Sequence, residues 1–110
     1  MEEEKKEIIP PVSVKKHIVV YGKHDYILNN VQNLINKADM TSIGFTMLGE
    51  TLDYIRMNPL DAVLIGGGVD PHDRMKISEL VKAEVPHVKV IEHFGGPATI
   101  LPEIKSALGV

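Results

Sequence analysis

The sequence predicts a three-layer α/β sandwich, with four parallel strands alternating with four helices and ordered 2-1-3-4. Three observations lead there. Short apolar runs recur over residues 17–21, 42–47, 62–65 and 88–92. Stretches with apolar residues at helical spacing separate them. Two of the runs, the first and third, are continuously apolar, as strands covered by helices on both faces are.

Residues 1–16 stand apart from the domain expected over 17–110. The charged run over 2–7 gains little by ordering, and Pro10 and Pro11 bar the following apolar residues from a central strand. The segment reads as a flexible N-terminal arm, with contact to a partner subunit as the alternative. His17-Ile18-Val19-Val20-Tyr21 is the first strand. After it, Ile27, Leu28, Val31, Leu34, Ile35 and Ala38 share one helix face, with Asp25 as expected N-cap. The second run alternates, which suits a sheet edge. A helix over about 50–57 then ends at Asn58-Pro59.

Leu60 to Ile65 leads through the third strand into Gly66-Gly67-Gly68-Val69-Asp70-Pro71. Asp70 reads as the N-cap of the third helix and Pro71 as its first residue, where a missing N–H costs nothing. That helix buries Ile77, Leu80 and Val81 and stops before Pro86. The fourth run carries Lys89 and belongs at the other edge. The last helix uses Ile100, Leu101, Ile104 and Leu108 and ends at Gly109. Pro102 requires it either to start near 102 or to distort its first turn. With right-handed crossovers the result is a flavodoxin-like, or Rossmann-like, (βα)4 unit.

Composition narrows the function classes. A chain of 110 residues, 44% hydrophobic and 25% charged, matches one globular domain. A net charge of −3 argues against nucleic acid as a partner. No apolar run reaches the ~18 residues of a membrane span, and the first residues lack the apolar core of an export signal, so a cytoplasmic, non-membrane protein is expected. The absence of cysteine excludes disulfides and thiol nucleophiles.

In open parallel sheets ligands bind beyond the carboxyl ends of the strands, where strand order reverses. Three loops arrive there, over residues 22–25, 66–70 and 92–97. The expected ligand-binding residues are Gly66, Gly67 and Gly68 with Lys23, His24, Glu92, His93, Gly95 and Gly96. Bare N–H groups before a helix N-terminus favour an anion, above all a phosphate. The competing reading of the glycines is a tight turn into the helix. Asp25 and Asp70 read as caps, and His72 as solvent-facing.

Named chemistries are missing. There is no P-loop, and Gly66-x-Gly68-x-x-Pro71 departs from the dinucleotide fingerprint at its third glycine. No serine occupies a nucleophile elbow. His24, Asp25, Glu92 and His93 lack local metal-ligand spacing. No catalytic or metal-binding residue is therefore assigned, and the cofactor stays unspecified.

The pattern Ile18-Val19-Val20-Tyr21, Thr51-Leu52-Asp53-Tyr54-Ile55 and Asn58-Pro59-Leu60-Asp61-Ala62-Val63-Leu64-Ile65 resembles the receiver domain of response regulators. The resemblance implies the same fold without its phosphoryl chemistry. The phosphoacceptor position falls on Gly66, the acidic pair on Gly22 and Lys23, and the hydroxyl residue of strand four on Glu92. The glycine loop is also similar to that of cobalamin-binding domains, whose Asp-x-His-x-x-Gly motif is absent. The expected function is binding of a small anionic ligand. A non-phosphorylatable pseudo-receiver acting through protein contacts is the alternative; separately, the apolar arm and small size suggest a homodimer. An enzyme using His24 or His93 as acid or base is the third.

Overall fold

Four parallel strands form one sheet, and the two continuously apolar runs lie at its centre. The structure, a computed structural model, describes residues 15–94 and 96–110. Strands β1 (His17–Tyr21), β2 (Thr41–Phe45), β3 (Ala62–Ile65) and β4 (Lys89–Glu92) are ordered β2-β1-β3-β4. Helices α1 (Asp25–Lys37), α2 (Leu48–Met57), α3 (Pro71–Glu84) and α4 (Ile100–Leu108) alternate with them. This is the predicted (βα)4 sandwich. Of the expected arm only Lys15 and Lys16 fall among the described residues. The Lys16 carbonyl accepts from the Thr41 N–H at 2.9 Å at the start of β2.

Alternation along each strand divides the core into two layers. Ile18 and Val20 of β1, with Ala62 and Leu64 of β3, pack under Leu28, Val31 and Ile35 of α1 and Ile100 and Ile104 of α4. Val19, Tyr21, Val63 and Ile65 face the other way, against Ile55 of α2 and Ile77, Leu80 and Val81 of α3. Each fully buried aliphatic side chain contributes about 1.5–3 kcal/mol, so these central strands anchor the fold. On β2 the outermost layer closes tightly: a Cβ on Gly44 would lie 2.7 Å from Nε2 of Gln32 on α1.

Helix ends follow the sequence punctuation with two shifts. Asp70 caps α3 as expected, its Oδ1 accepting from the Asp73 N–H at 2.9 Å. Gly109, at φ 73°, terminates α4. The N-cap of α1, however, is His24 rather than Asp25, and it makes no side-chain capping bond. Asp25 occupies the first helical position instead, where its charge meets the positive helix end. Pro97–Thr99 form a 3-10 turn that runs directly into α4. Pro102 thus sits in the first turn of α4, where amide hydrogens have no helical partner behind them.

At the amino end His17 is a structural clasp. Its ring lies 2.6 Å from Thr41 Oγ1 and 2.7 Å from the Tyr54 hydroxyl, and its backbone N–H donates to Asp61 at 2.8 Å. No helix among the described residues is long and apolar enough to cross a membrane.

Candidate functional site

The sheet's hydrogen bonding runs one residue past the strands at their carboxyl ends. Gly22 N–H donates to Phe45 O, Gly66 N–H to Tyr21 O and His93 N–H to Ile65 O, at 3.1, 2.9 and 2.9 Å. The three loops therefore leave side by side, as expected from the strand order. None of Gly66, Gly67 and Gly68 has a left-handed backbone. A Cβ on Gly66 or Gly67 would find nothing nearer than 3.5 Å, and one on Gly68 nothing within 4 Å. Neither the turn nor the packing requires these glycines, so what they share is bare backbone.

On the α3 side of this loop, polar groups satisfy one another. Tyr21 is fully buried, and its hydroxyl donates to Asp73 Oδ2 at 2.6 Å. Lys23 Nζ donates to the same oxygen at 3.2 Å, and His72 Nδ1 lies 3.2 Å from Asp73 Oδ1. Burial, reinforced by the bond to Asp73, raises the Tyr21 pKa. The Tyr21 hydrogen bond, with help from His72 and Lys23, lowers that of Asp73 against the opposing effect of burial. The bond to Asp73 in turn raises that of Lys23. Ligating atoms of Asp70, His72 and Asp73 all lie within 4.8 Å of one another, which makes this a potential ligand-coordinating cluster near the strand ends. Its oxygens already accept from the Asp73 N–H, Tyr21 and Lys23.

Arg74 completes that side. It donates to the carbonyls of Val69 at 3.0 Å and Gly66 at 2.6 Å, and to Glu92 Oε1 at 3.1 Å. Its guanidinium also stacks on Phe94, 4.5 Å from the ring centre. Glu92 thus has a structural partner that its sequence position did not reveal.

The α1–α4 side is open. A cavity of about 320 Å³ lies between those helices, walled by Leu28, Val31 and Leu34 of α1 and Ile100 of α4. Gly22, Gly66, Gly67 and His93 line its strand-end side. His93 is buried, and its Nδ1 lies 2.8 Å from Oε1 of Glu103 on α4. Adjacent strand-end residues point to opposite layers, which sends Glu92 toward α3 and His93 toward α4.

The sequence-derived residues therefore part company. Gly66, Gly67 and His93 border the cavity, whereas Gly68 is exposed beside it. Lys23 and Glu92 join the α3-side network. His24 is exposed at the start of α1, its ring 6.0 Å from that of Tyr26, and is not among the cavity's lining residues. Gly96 precedes the 3-10 turn, and Gly95 lies outside the described residues. His72 is solvent-facing, as read. Sequence reasoning missed Tyr21, Asp73, Arg74 and Glu103 as polar partners. Only Glu103 left a local signal, one helix turn past a glycine-rich loop that carries a histidine.

No protein-family model matches the sequence, and no curated protein sequence is similar to it. Solved structures are similar in fold. A de novo designed Rossmann fold protein superposes with a TM-score of 0.61 at 15% identity, over 88% of this chain and 100% of its own. The signal receiver domain of an HD domain-containing protein from Pseudomonas fluorescens Pf-5 gives 0.59 at 12% identity, over 87% and 96%. These matches identify a flavodoxin-like, Rossmann-like fold with weak structural similarity to a receiver domain.

Proposed function

We propose that this domain binds a small anionic ligand at the carboxyl ends of β1, β3 and β4. The ligand's apolar part occupies the α1–α4 cavity, and its anionic group, carboxylate or phosphate, meets the backbone of Gly67 and Gly68. The observation that carries the reading is the cavity itself. At about 320 Å³ it falls at the small end of ligand pockets, and it opens where strand order reverses. The glycines support it, since a side chain there is tolerated by the backbone yet would crowd a ligand.

The test is a thermal-shift titration of the full chain with small organic acids and inorganic phosphate. Gly67→Asp sets a negative charge at the mouth, and its Cβ would meet nothing nearer than 3.5 Å. It should abolish the ligand-induced shift while leaving the circular dichroism spectrum unchanged. Equal shifts in both proteins would reject the binding site.

A second reading, a pseudo-receiver working through protein contacts, is favoured by the likeness to the receiver domain. Gly66 at the end of β3 leaves no carboxylate at the phosphoacceptor position, so signalling of that kind would depend on binding alone.

A further inference from the structure

We infer that the His93–Glu103 pair reads the ligand's head group and that the cavity's ligand class is a compact apolar monocarboxylic acid. The inference rests on the binding reading above and deepens it. Three observations combine.

The first is the state of the histidine. Its side chain is only 8% exposed, and Nδ1 donates to the Glu103 carboxylate at 2.8 Å. Among the described residues Nε2 has no hydrogen-bond partner. A buried polar nitrogen without a partner costs free energy that a ligand atom recovers. With Glu103 on one nitrogen and an anion on the other, the imidazole donates through both.

The second is where the other cations stand. Lys23 is committed to Asp73 and Arg74 to Glu92, both on the opposite side of the glycine loop. Among the described residues no lysine or arginine borders the cavity, and His93 is its one basic side chain. A phosphate dianion would leave most of its charge unmatched there. A carboxylate needs two donors, and the His93 Nε2–H with the Gly67 N–H supplies two. The third is the wall, which is aliphatic on both helices apart from the exposed Asn30 and selects an apolar body.

Isothermal titration of the full chain with benzoate, phenylacetate and 4-methylpentanoate, each against its neutral primary amide, tests this. The acids should bind at least about tenfold tighter than the amides, as a charge-assisted hydrogen bond requires. Glu103→Gln, at a half-buried position, should weaken the acids several-fold and leave the amides unchanged. The Nε2 nitrogen resonance of His93 should move on addition of acid but not of amide. Equal binding of acid and amide, or an acid affinity indifferent to Glu103→Gln, would overturn the head-group assignment while the cavity reading stands. Saturable binding of inorganic phosphate in preference to the acids would replace the ligand class and keep the glycine loop as an anion site. Binding of none of these probes would overturn both.

Discussion

At the carboxyl ends of the strands the two sides of the sheet are finished in opposite ways. Toward α3, two hydrogen-bonded groups lie side by side, Tyr21 and Lys23 on Asp73 with Asp70 on the Asp73 N–H, and Arg74 on Glu92 and the Gly66 and Val69 carbonyls. Toward α1 and α4 the helices leave a cavity, with a single histidine–glutamate pair at its edge. Both sides rest on the same two central strands, so the difference comes from what the helices bring. The N-cap and first turn of α3 carry two carboxylates, Asp70 and Asp73, and an arginine to the end of β1 and the glycine loop. The facing surface of α1 carries aliphatic groups there, with the exposed Asn30 beside them. Polar groups satisfied internally rigidify a site and have little left to offer a ligand. The side with unused hydrogen-bonding capacity is the one suited to binding.

The sharpest way to break this contrast is Arg74→Ala. It strips the Val69 carbonyl and Glu92 of their donor and leaves the Gly66 carbonyl only the Val69 N–H, and should cost about 3 kcal/mol in urea unfolding. Asn30→Ala, at an exposed residue lining the cavity, should change stability by less than about 0.5 kcal/mol. Similar losses at both sites would show that the two sides carry equal structural weight.

Next in size is Tyr21→Phe, which removes the buried hydroxyl's bond to Asp73 and should cost about 1–2 kcal/mol. It should also reshape the pH profile. The Asp73 pKa is lowered in the fold, so its contribution is present above the ordinary aspartate value of about 4 and is lost as pH falls through the lower folded value. The Tyr21 pKa is raised, so its contribution is present below the ordinary tyrosine value of about 10 and fades as pH rises through the higher folded value. Between these limits the wild-type profile should be flat with respect to this pair. The Phe variant should lose part of the acid-side fall and the Tyr21 share of the alkaline fall. An unaltered profile measured by chemical denaturation would refute the coupling.

The smallest effect should come from Gly68→Ala. With no left-handed backbone and no atom within 4 Å of the added Cβ, it should stabilise the fold by about 0.5 kcal/mol. A drop in melting temperature would mean that the loop needs glycine for conformation, and the bare backbone would lose its functional meaning.

Much of the fold was legible in the chain. The continuous runs at 18–21 and 62–65 marked central strands, and the mixed runs at 42–47 and 88–92 marked edges. Asp70-Pro71 and Gly109 marked helix ends. These features are local, because burial pattern and backbone propensity act over neighbouring residues. The α1 cap was less legible, since His24 and Asp25 are both polar residues in an exposed turn and only the chain's path decides which enters the helix.

The site was legible in location and not in wiring. Strand order alone brought Gly66–Gly68 and His93 to one end of the sheet. Tertiary structure decided that Glu92 meets Arg74 while its neighbour His93 meets Glu103, and that Tyr21 turns its hydroxyl onto Asp73. The physical reason is alternation: a one-residue step along a strand crosses from one helical layer to the other. The partner waiting there belongs to a helix whose placement depends on the whole packed domain. The cavity has the same origin, for it is a gap between α1 and α4, and no stretch of sequence encodes a gap between two others.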